Sequence, residues 1–171
     1  MTQNIADIHA DIAALLPRLR RFGRAVTRNK EDADDLVQVA VERALLHTGQ
    51  WEPGTRLDSW LFRIMKNAWI DEVRGRARRG QVLAPAEAGE HVGSDPSEAY
   101  VHRLAVQQAV GMLHEDHRLV VGLVLIDGMS YKDAAQVLEI PVGTLTSRLA
   151  RARESLQALL SEAGAMTRMK Q

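Results

Sequence analysis

The stretch SYKDAAQVLEIPVGTLTSRLARARESL, residues 130–156, decides how this chain folds, because it reads as two short helices joined by a tight turn. Ser130 is placed to cap the first helix, with Asp133 in the capping-box position, and Ala134, Ala135 and Leu138 supply an apolar stripe. Pro141 disfavours helix at Ile140 yet is tolerated in a first turn, so a second helix begins there and runs past Leu156. This is the spacing of a helix-turn-helix. At roughly 100° of rotation per residue, Leu145, Leu149, Ala152 and Leu156 fall in one sector, the side expected to be buried. Ser147, Ala150, Arg151 and Glu154 point the opposite way, flanked by Arg148 and Arg153. A short hydroxyl, a methyl and an arginine suit base edges in a major groove, and lateral arginines suit phosphates.

The rest of the chain narrows the classes open to it. With 171 residues and 46% apolar content, it can bury a core and hold one domain or two small ones. Its Ala, Leu, Val and Arg content favours an all-α protein. The absence of cysteine removes disulfides, thiolate zinc sites and thiol-based sensing. No apolar run approaches membrane-spanning length and the N-terminus lacks a basic-then-apolar signal, so a soluble cytoplasmic protein without membrane insertion is expected. The net charge is zero, which argues against a nucleic-acid partner until charge is counted by segment. Residues 51–80 carry seven Lys/Arg against four Asp/Glu, whereas residues 81–102 carry four acids and no Lys or Arg. Basic charge is thus concentrated where helices would meet phosphates.

Residues 80–98, GQVLAPAEAGEHVGSDPSE, combine glycines, two prolines and acids with little periodicity and read as a flexible acidic linker. Before it, helical patterns run from Ile5 to about Asn29, divided at Pro17, from Glu31 to His47, and from Asp58 to Arg79. After it, helices are expected at 98–113 and 117–126, then the two of the helix-turn-helix. Leu119 to Ile126 shows no clear period and would also suit a strand, but no pairing strand is evident nearby.

The helix from Asp58 carries a second nucleic-acid signal. Trp60, Arg63, Asn67, Asp71, Arg74 and Arg78 fall on one stripe, and Leu61, Ile64, Met65 and Ala68 on another. An aromatic, an amide and arginines on one face suit unpaired DNA: stacking on Trp contributes roughly 1 to 3 kcal/mol per base, Asn bonds a base edge and Arg holds backbone. Trp60 taken alone is equally well explained as core at a helix start. The cluster Arg74, Arg76, Arg78 and Arg79 is expected to contact phosphates in a salt-dependent way. On the helix from Glu31, Asp35, Gln38 and Glu42 align beside Leu45 and Leu46, a face that repels DNA and suits a basic protein partner, or simply solvent. Asp32, Asp34 and Asp35 also sit where the helix dipole favours acids without any function.

Three blocks in order, DADDLVQVAVERAL (32–45), DSWLFRIMKNAWIDEVRGRARR (58–79) and residues 130–156, strongly resemble the extracytoplasmic-function (ECF) class of bacterial sigma factors. The resemblance implies a region 2 domain over residues 1–80, a linker over 81–97 and a region 4 domain over 98–171. It implies a dissociable specificity subunit for core RNA polymerase, with no cofactor, whose partners are the beta-prime clamp helices, the beta flap and promoter DNA. Asp35, Leu36 and Gln38 match the family's clamp-helix patch, with Glu42 on the same face. Trp60, Leu61, Arg63, Ile64 and Asn67 match the minus-10 helix, and Trp51 to Leu57 the loop that helps capture a flipped base. Thr146, Ser147, Arg148, Ala150 and Arg151 occupy the minus-35 recognition helix, where Arg153 adds a phosphate contact. The resemblance further implies an anti-sigma factor that packs on both domains and senses the signal. Val39 and Val41 depart from the family's usual acid and aromatic, and Thr146 and Ala150 from its frequent base and aromatic, so a minus-35 sequence preference does not transfer.

Other classes fit less of the chain. A stand-alone helix-turn-helix regulator would leave the Asp35/Gln38 face unexplained, and a sigma-mimic decoy would have no use for Trp60, Asn67 and the recognition-helix arginines. An enzyme reading rests on His114-Glu115-Asp116-His117 as metal ligands, but these lie at an expected interhelical turn with no third ligand motif.

Overall fold

The computed structural model describes residues 5–81 and 98–168, with side chains from 7–81 and 99–162; apart from Gln81, the expected linker lies outside the described residues. Seven α-helices follow in order: α1 (Ile5–Thr27), α2 (Lys30–Leu46), α3 (Leu57–Arg78), α4 (Glu98–Met112), α5 (Glu115–Val121), α6 (Tyr131–Leu138) and α7 (Val142–Arg168). The described residues contain no strand.

Helix α1 is continuous, so the expected break at Pro17 does not occur. Proline removes one ladder bond, at a cost of about 3 kcal/mol in a helix interior. Pro17 faces solvent while Ile12, Leu19, Phe22 and Val26 bury the opposite side, and that packing holds the helix through the defect. The helix closes at Arg28, in the left-handed region at φ 74°, and Asn29 caps α2 by accepting the Asp32 amide at 2.8 Å. Between α2 and α3, Trp51 is buried and anchors a turn in which the Glu52 carbonyl accepts both the amide and the hydroxyl of Thr55. Pro53 and Gly54 occupy its centre, and Gly54 at φ 88° supplies a conformation that L residues rarely adopt.

The ambiguous run after α5 is helical. Gly122–Ile126 widens into a π-turn in which the Asp127 amide bonds the Gly122 carbonyl at 3.0 Å. In the helix-turn-helix, Ser130 caps α6 as expected: its hydroxyl accepts the Asp133 amide and donates to the Asp133 carboxylate. Glu139 turns the chain at φ 57°, and α7 starts directly after Pro141.

The helices before and after the linker do not stand apart. Buried residues of α1 and α3, among them Phe22, Phe62 and Met65, form one continuous core with Leu119, Val120, Leu123, Leu138 and Leu145 of the C-terminal half. A Cβ on Gly122 would lie 2.9 Å from the Phe22 ring, so only glycine permits this approach. Arg118, almost fully buried, donates to the Val26 carbonyl at 3.1 Å and the Leu113 carbonyl at 2.6 Å, tying the C-terminus of α1 to the α4–α5 turn.

Leu149 and Ala150 test the assigned faces of α7, since they are adjacent and oppositely buried. Leu149→Ala should lower stability in urea unfolding by about 2 to 5 kcal/mol, and Ala150→Ser should change it by under about 0.5 kcal/mol. A second prediction concerns acid. Asp58 is held down to about 2, chiefly by the Arg56 guanidinium, which forks onto it at 3.1 and 2.8 Å, with help from the Ser59 amide and Arg18. A depressed carboxylate stabilises the fold above its unfolded value near 3.8, and that contribution falls away as pH drops through about 2. Stability measured between pH 5 and 2 should therefore decline less steeply in Asp58→Asn than in the parent chain, by roughly the share of one carboxylate.

Candidate nucleic-acid interface

The outward face of α7 is assembled by the burial of its other side. Leu145, Leu149 and Ala152 are sealed in the core and Leu156 is half-buried, which turns Thr146, Ser147, Ala150, Arg151 and Arg153 to solvent. The Thr146 and Ser147 hydroxyls donate to the carbonyls of Val142 and Thr144 within the helix, at 2.9 and 3.0 Å, so each keeps an oxygen outward. Arg148 is placed differently. Its guanidinium meets Asp116 at 3.0 Å and is half-buried against the start of α5, so the expected flanking phosphate contact is engaged within the protein.

The turn that suggested a metal site has a structural role. His114 caps α5, its Nδ1 accepting the Asp116 amide at 3.4 Å, and stands edge-on to His117 with ring centroids 6.1 Å apart. Burial, with His114 adjacent, holds the His117 imidazole below its ordinary value.

On α3, Arg63, Asn67, Asp71, Arg74 and Arg78 are exposed along the expected stripe. Trp60 shares the stripe but is half-buried and packs against the core, as the plainer reading of it allowed. The arginine cluster divides. Arg76 is committed to the fold: it forks onto Asp32 at 2.7 and 3.0 Å and bonds Glu72 at 2.6 Å, fastening α3 to α2. Those carboxylates raise its pKa, and Arg76 in turn lowers that of Asp32. Arg79 leans toward Glu72 and Gln81. Of the four arginines, Arg74 and Arg78 are the ones left clear of these fold-fastening pairs.

On α2, Asp35, Gln38 and Glu42 share an exposed face, with Gln38 donating to Glu42 at 3.0 Å. Leu36 contributes little to that surface: it is 6% exposed and packs in the core, touching only the groove between α2 and α3, because the roughly 100° of rotation per residue carries it inward while Asp35 stays out. The apolar part of the patch comes instead from Val39, Leu45 and Leu46, the last 79% exposed. An open groove between α2 and α3 is lined by Asp35, Gln38, Val39, Arg43, Asp71 and Arg78.

Residues 12–79 match the sigma-70 region 2 family and residues 103–156 the sigma-70 region 4 family. The chain is 37% identical over 166 residues to the ECF RNA polymerase sigma factor EcfG of Rhodopseudomonas palustris (strain TIE-1), covering 96% of this chain and 90% of that protein. The chain belongs to the ECF sigma factor family. Its fold agrees with two solved structures. The sigma factor RpoE in complex with the anti-sigma factor NepR from Bartonella quintana aligns with a TM-score of 0.77 and 31% identity, covering 91% of this chain and 97% of that one. CnrH in complex with the cytosolic domain of CnrY aligns with a TM-score of 0.69 and 28% identity, covering 94% and 92%.

As an ECF sigma factor the chain is an alternative sigma factor, a DNA-binding factor of transcription initiation. No helix among the described residues is long and apolar enough to cross a membrane. What sequence reasoning missed is the set of cations that close the two halves on each other, Arg18, Arg56 and Lys66. Lys66 was visible as a charge between Arg63 and Asn67, but periodicity could not say that another helix covers it.

The division among the arginines gives a test. Arg74→Ala should weaken binding to DNA and shallow its salt dependence by about one counterion while leaving the melting temperature nearly unchanged. Arg76→Ala should do the reverse, lowering the melting temperature and barely moving the salt slope. Equal loss of DNA affinity in both, at equal stability, would overturn the assignment.

Proposed function

We propose that residues 1–80 bind core RNA polymerase and open the minus-10 element, that residues 98–160 read minus-35 duplex, and that residues 81–97 set the reach between them. The observation that carries this reading is the recognition helix: one side of α7 is sealed in the core and the other offers Thr146, Ser147, Ala150, Arg151 and Arg153. Arg151 lies centrally and suits a base edge; Arg153 lies to the side and suits phosphate. On α3, Asn67 reads an unstacked base, Arg63, Arg74 and Arg78 hold backbone, and Trp60 supports the pocket from its half-buried position. Asp35, Gln38 and Glu42, rimmed by Val39, Leu45 and Leu46, dock on the basic clamp helices of the beta-prime subunit, with Leu36 setting the height of the patch from inside.

One further partner follows from the relatives. The Bartonella quintana factor was solved with an anti-sigma factor and CnrH with the cytosolic domain of CnrY. A protein of that kind holds this chain inactive, in the cytoplasm, and senses the signal, since the chain has no cysteine for thiol sensing.

Run-off transcription from a pool of promoter DNAs, with core polymerase alone and with core plus this chain, tests the function. Transcripts that need the chain and share a two-part upstream motif are expected; a folded chain that yields none with its own organism's polymerase would refute it. Within that assay Asn67→Ala should impair promoter opening without reducing polymerase binding. Arg151→Ala should lose about 1 to 3 kcal/mol at particular minus-35 bases, whereas Arg153→Ala should weaken all sequences alike.

A further inference from the structure

We propose that Asp116 limits how tightly this chain holds DNA: it keeps Arg148, the neighbour of Arg151 on the recognition helix, from the phosphates and leaves Arg153 as the flanking phosphate ligand. Asp116 is then an affinity-limiting residue of the minus-35 surface, supplied by α5 from outside the helix-turn-helix. The inference rests on the reading that α7 meets promoter duplex, and adds to it a residue that touches no base.

Arg148, Arg151 and Arg153 are placed unequally on α7. Arg151 and Arg153 are exposed, whereas Arg148 is half-buried and its Nη2 meets Asp116 at 3.0 Å. At roughly 100° per residue, Arg148 lies about 60° round the helix from Arg151, and it flanks the outward face on the side opposite Arg153. A helix in a major groove meets a phosphate strand on each side, so a symmetric pair of flanking arginines would hold both. Here one flank carries a guanidinium turned to solvent and the other an ion pair.

The first turn of α5 runs along that second flank. Asp116 sits in it beside Glu115, with its amide held by His114 Nδ1 at 3.4 Å and its carboxylate 47% exposed. The charges of the recognition helix reach this turn. Burial, and then His114, hold the His117 imidazole below its ordinary value, and Arg148 and Arg151 both add to that lowering against the pull of Asp116. A phosphate approaching on the Arg148 side therefore meets an acid that is already bonded to the cation.

To bind that phosphate, Arg148 has to leave Asp116, and the carboxylate then stands unpaired close to the DNA backbone, where like charges repel. The acid does not move out of the way, because the start of a helix favours a negative charge. An ion pair this exposed adds little to folding stability, so its effect falls on DNA affinity. Phosphate contacts strengthen binding to every sequence alike. Withholding one of them reduces the sequence-independent share of binding and leaves Arg151 free to read a base edge.

Fluorescence anisotropy of a labelled duplex of arbitrary sequence, titrated with the full chain at several salt concentrations, tests this, because phosphate contacts carry no sequence information. Asp116→Asn should tighten binding about threefold or more at low salt and steepen the salt dependence by about one counterion. Arg148→Ala should leave the salt dependence as it is in the parent chain. Adding Arg148→Ala to Asp116→Asn should remove the steepening, and Asp116→Glu, which keeps the carboxylate, should behave as the parent. Thermal melting followed by circular dichroism confirms that each variant folds. If Asp116→Asn does not fold, Asp116→Ala takes its place in both the single and the double variant.

A shallower salt dependence in Arg148→Ala would make Arg148 an ordinary phosphate ligand and overturn the proposal. So would an unchanged salt dependence in Asp116→Asn, or a steepening that survives Arg148→Ala. A lower melting temperature in Asp116→Asn with no change in salt dependence would reduce the pair to a fastening between α5 and α7. Run-off transcription with the parent chain judges the family reading apart. A factor that transcribes while Asp116→Asn leaves the salt dependence unmoved loses only this inference, and a chain that never transcribes yet steepens through Arg148 loses only the other.

Discussion

Phe22 is the side chain against which both halves of the molecule are set. Its ring is fully buried, meets Phe62 of α3 edge-on at 5.2 Å, and receives the backbone of Gly122 from the C-terminal half. A three-helix unit of about 75 residues buries a modest share of its surface and is only marginally stable alone. By sharing the core around Phe22, each half gains apolar burial that it could not supply for itself. The same sharing explains why Arg118 is tolerated deep in the structure: its guanidinium finds the Val26 carbonyl in the last turn of α1, where the helix dipole favours a cation, and the Leu113 carbonyl beside it. Burial, with Arg28 nearby, lowers its pKa against the opposing pull of Glu115, and the paired carbonyls keep that cost bounded.

The packing of the two halves does not cover α3 and α7 equally. The outer face of α7 stays open to solvent, while α6 lies along α3 and covers Lys66. The charged groups at the junction fall into two kinds accordingly. Asp127 is buried and fixes the geometry, whereas Glu139 and Arg56 are exposed and set how readily the junction parts.

Much of this was legible in the sequence because it is local. The faces of α7 followed from the spacing of Leu145, Leu149 and Ala152, the cap at Ser130 from its capping box, and the helix order from periodicity. The acidic face of α2 was likewise readable from Asp35, Gln38 and Glu42. What escaped were relations between distant elements. Pro17 signals a break by every local rule, and only the buried stripe on its far side keeps α1 whole. Leu36 was assigned with its neighbours to a docking surface, although it turns inward. Arg76 and Arg148 look like phosphate ligands in a basic run, but Asp32 and Asp116, brought near by folding, have already taken them. The packing of α6 on α3 leaves no periodic trace at all, because each helix is amphipathic for its own half.

The balance of charge also takes on a different meaning. A DNA-binding chain with a formal net charge of zero is unusual on composition alone, and the uneven distribution along the sequence explains only part of it. In the folded molecule, Asp127, Asp133 and Glu139 of the C-terminal half lie on Arg18, Arg56 and Lys66 of the N-terminal half. Neutrality is thus partly an internal pairing across the closed junction. An excess of positive charge on both halves would drive them apart by mutual repulsion and would also bind nucleic acid indiscriminately through phosphates. Placing the compensating acids on α6 and the π-turn answers both demands at once, because the charges that neutralise Arg18, Arg56 and Lys66 are the ones that lie across the shared core. The electrostatic character of α3 is therefore set by the helix that packs on it as much as by its own sequence.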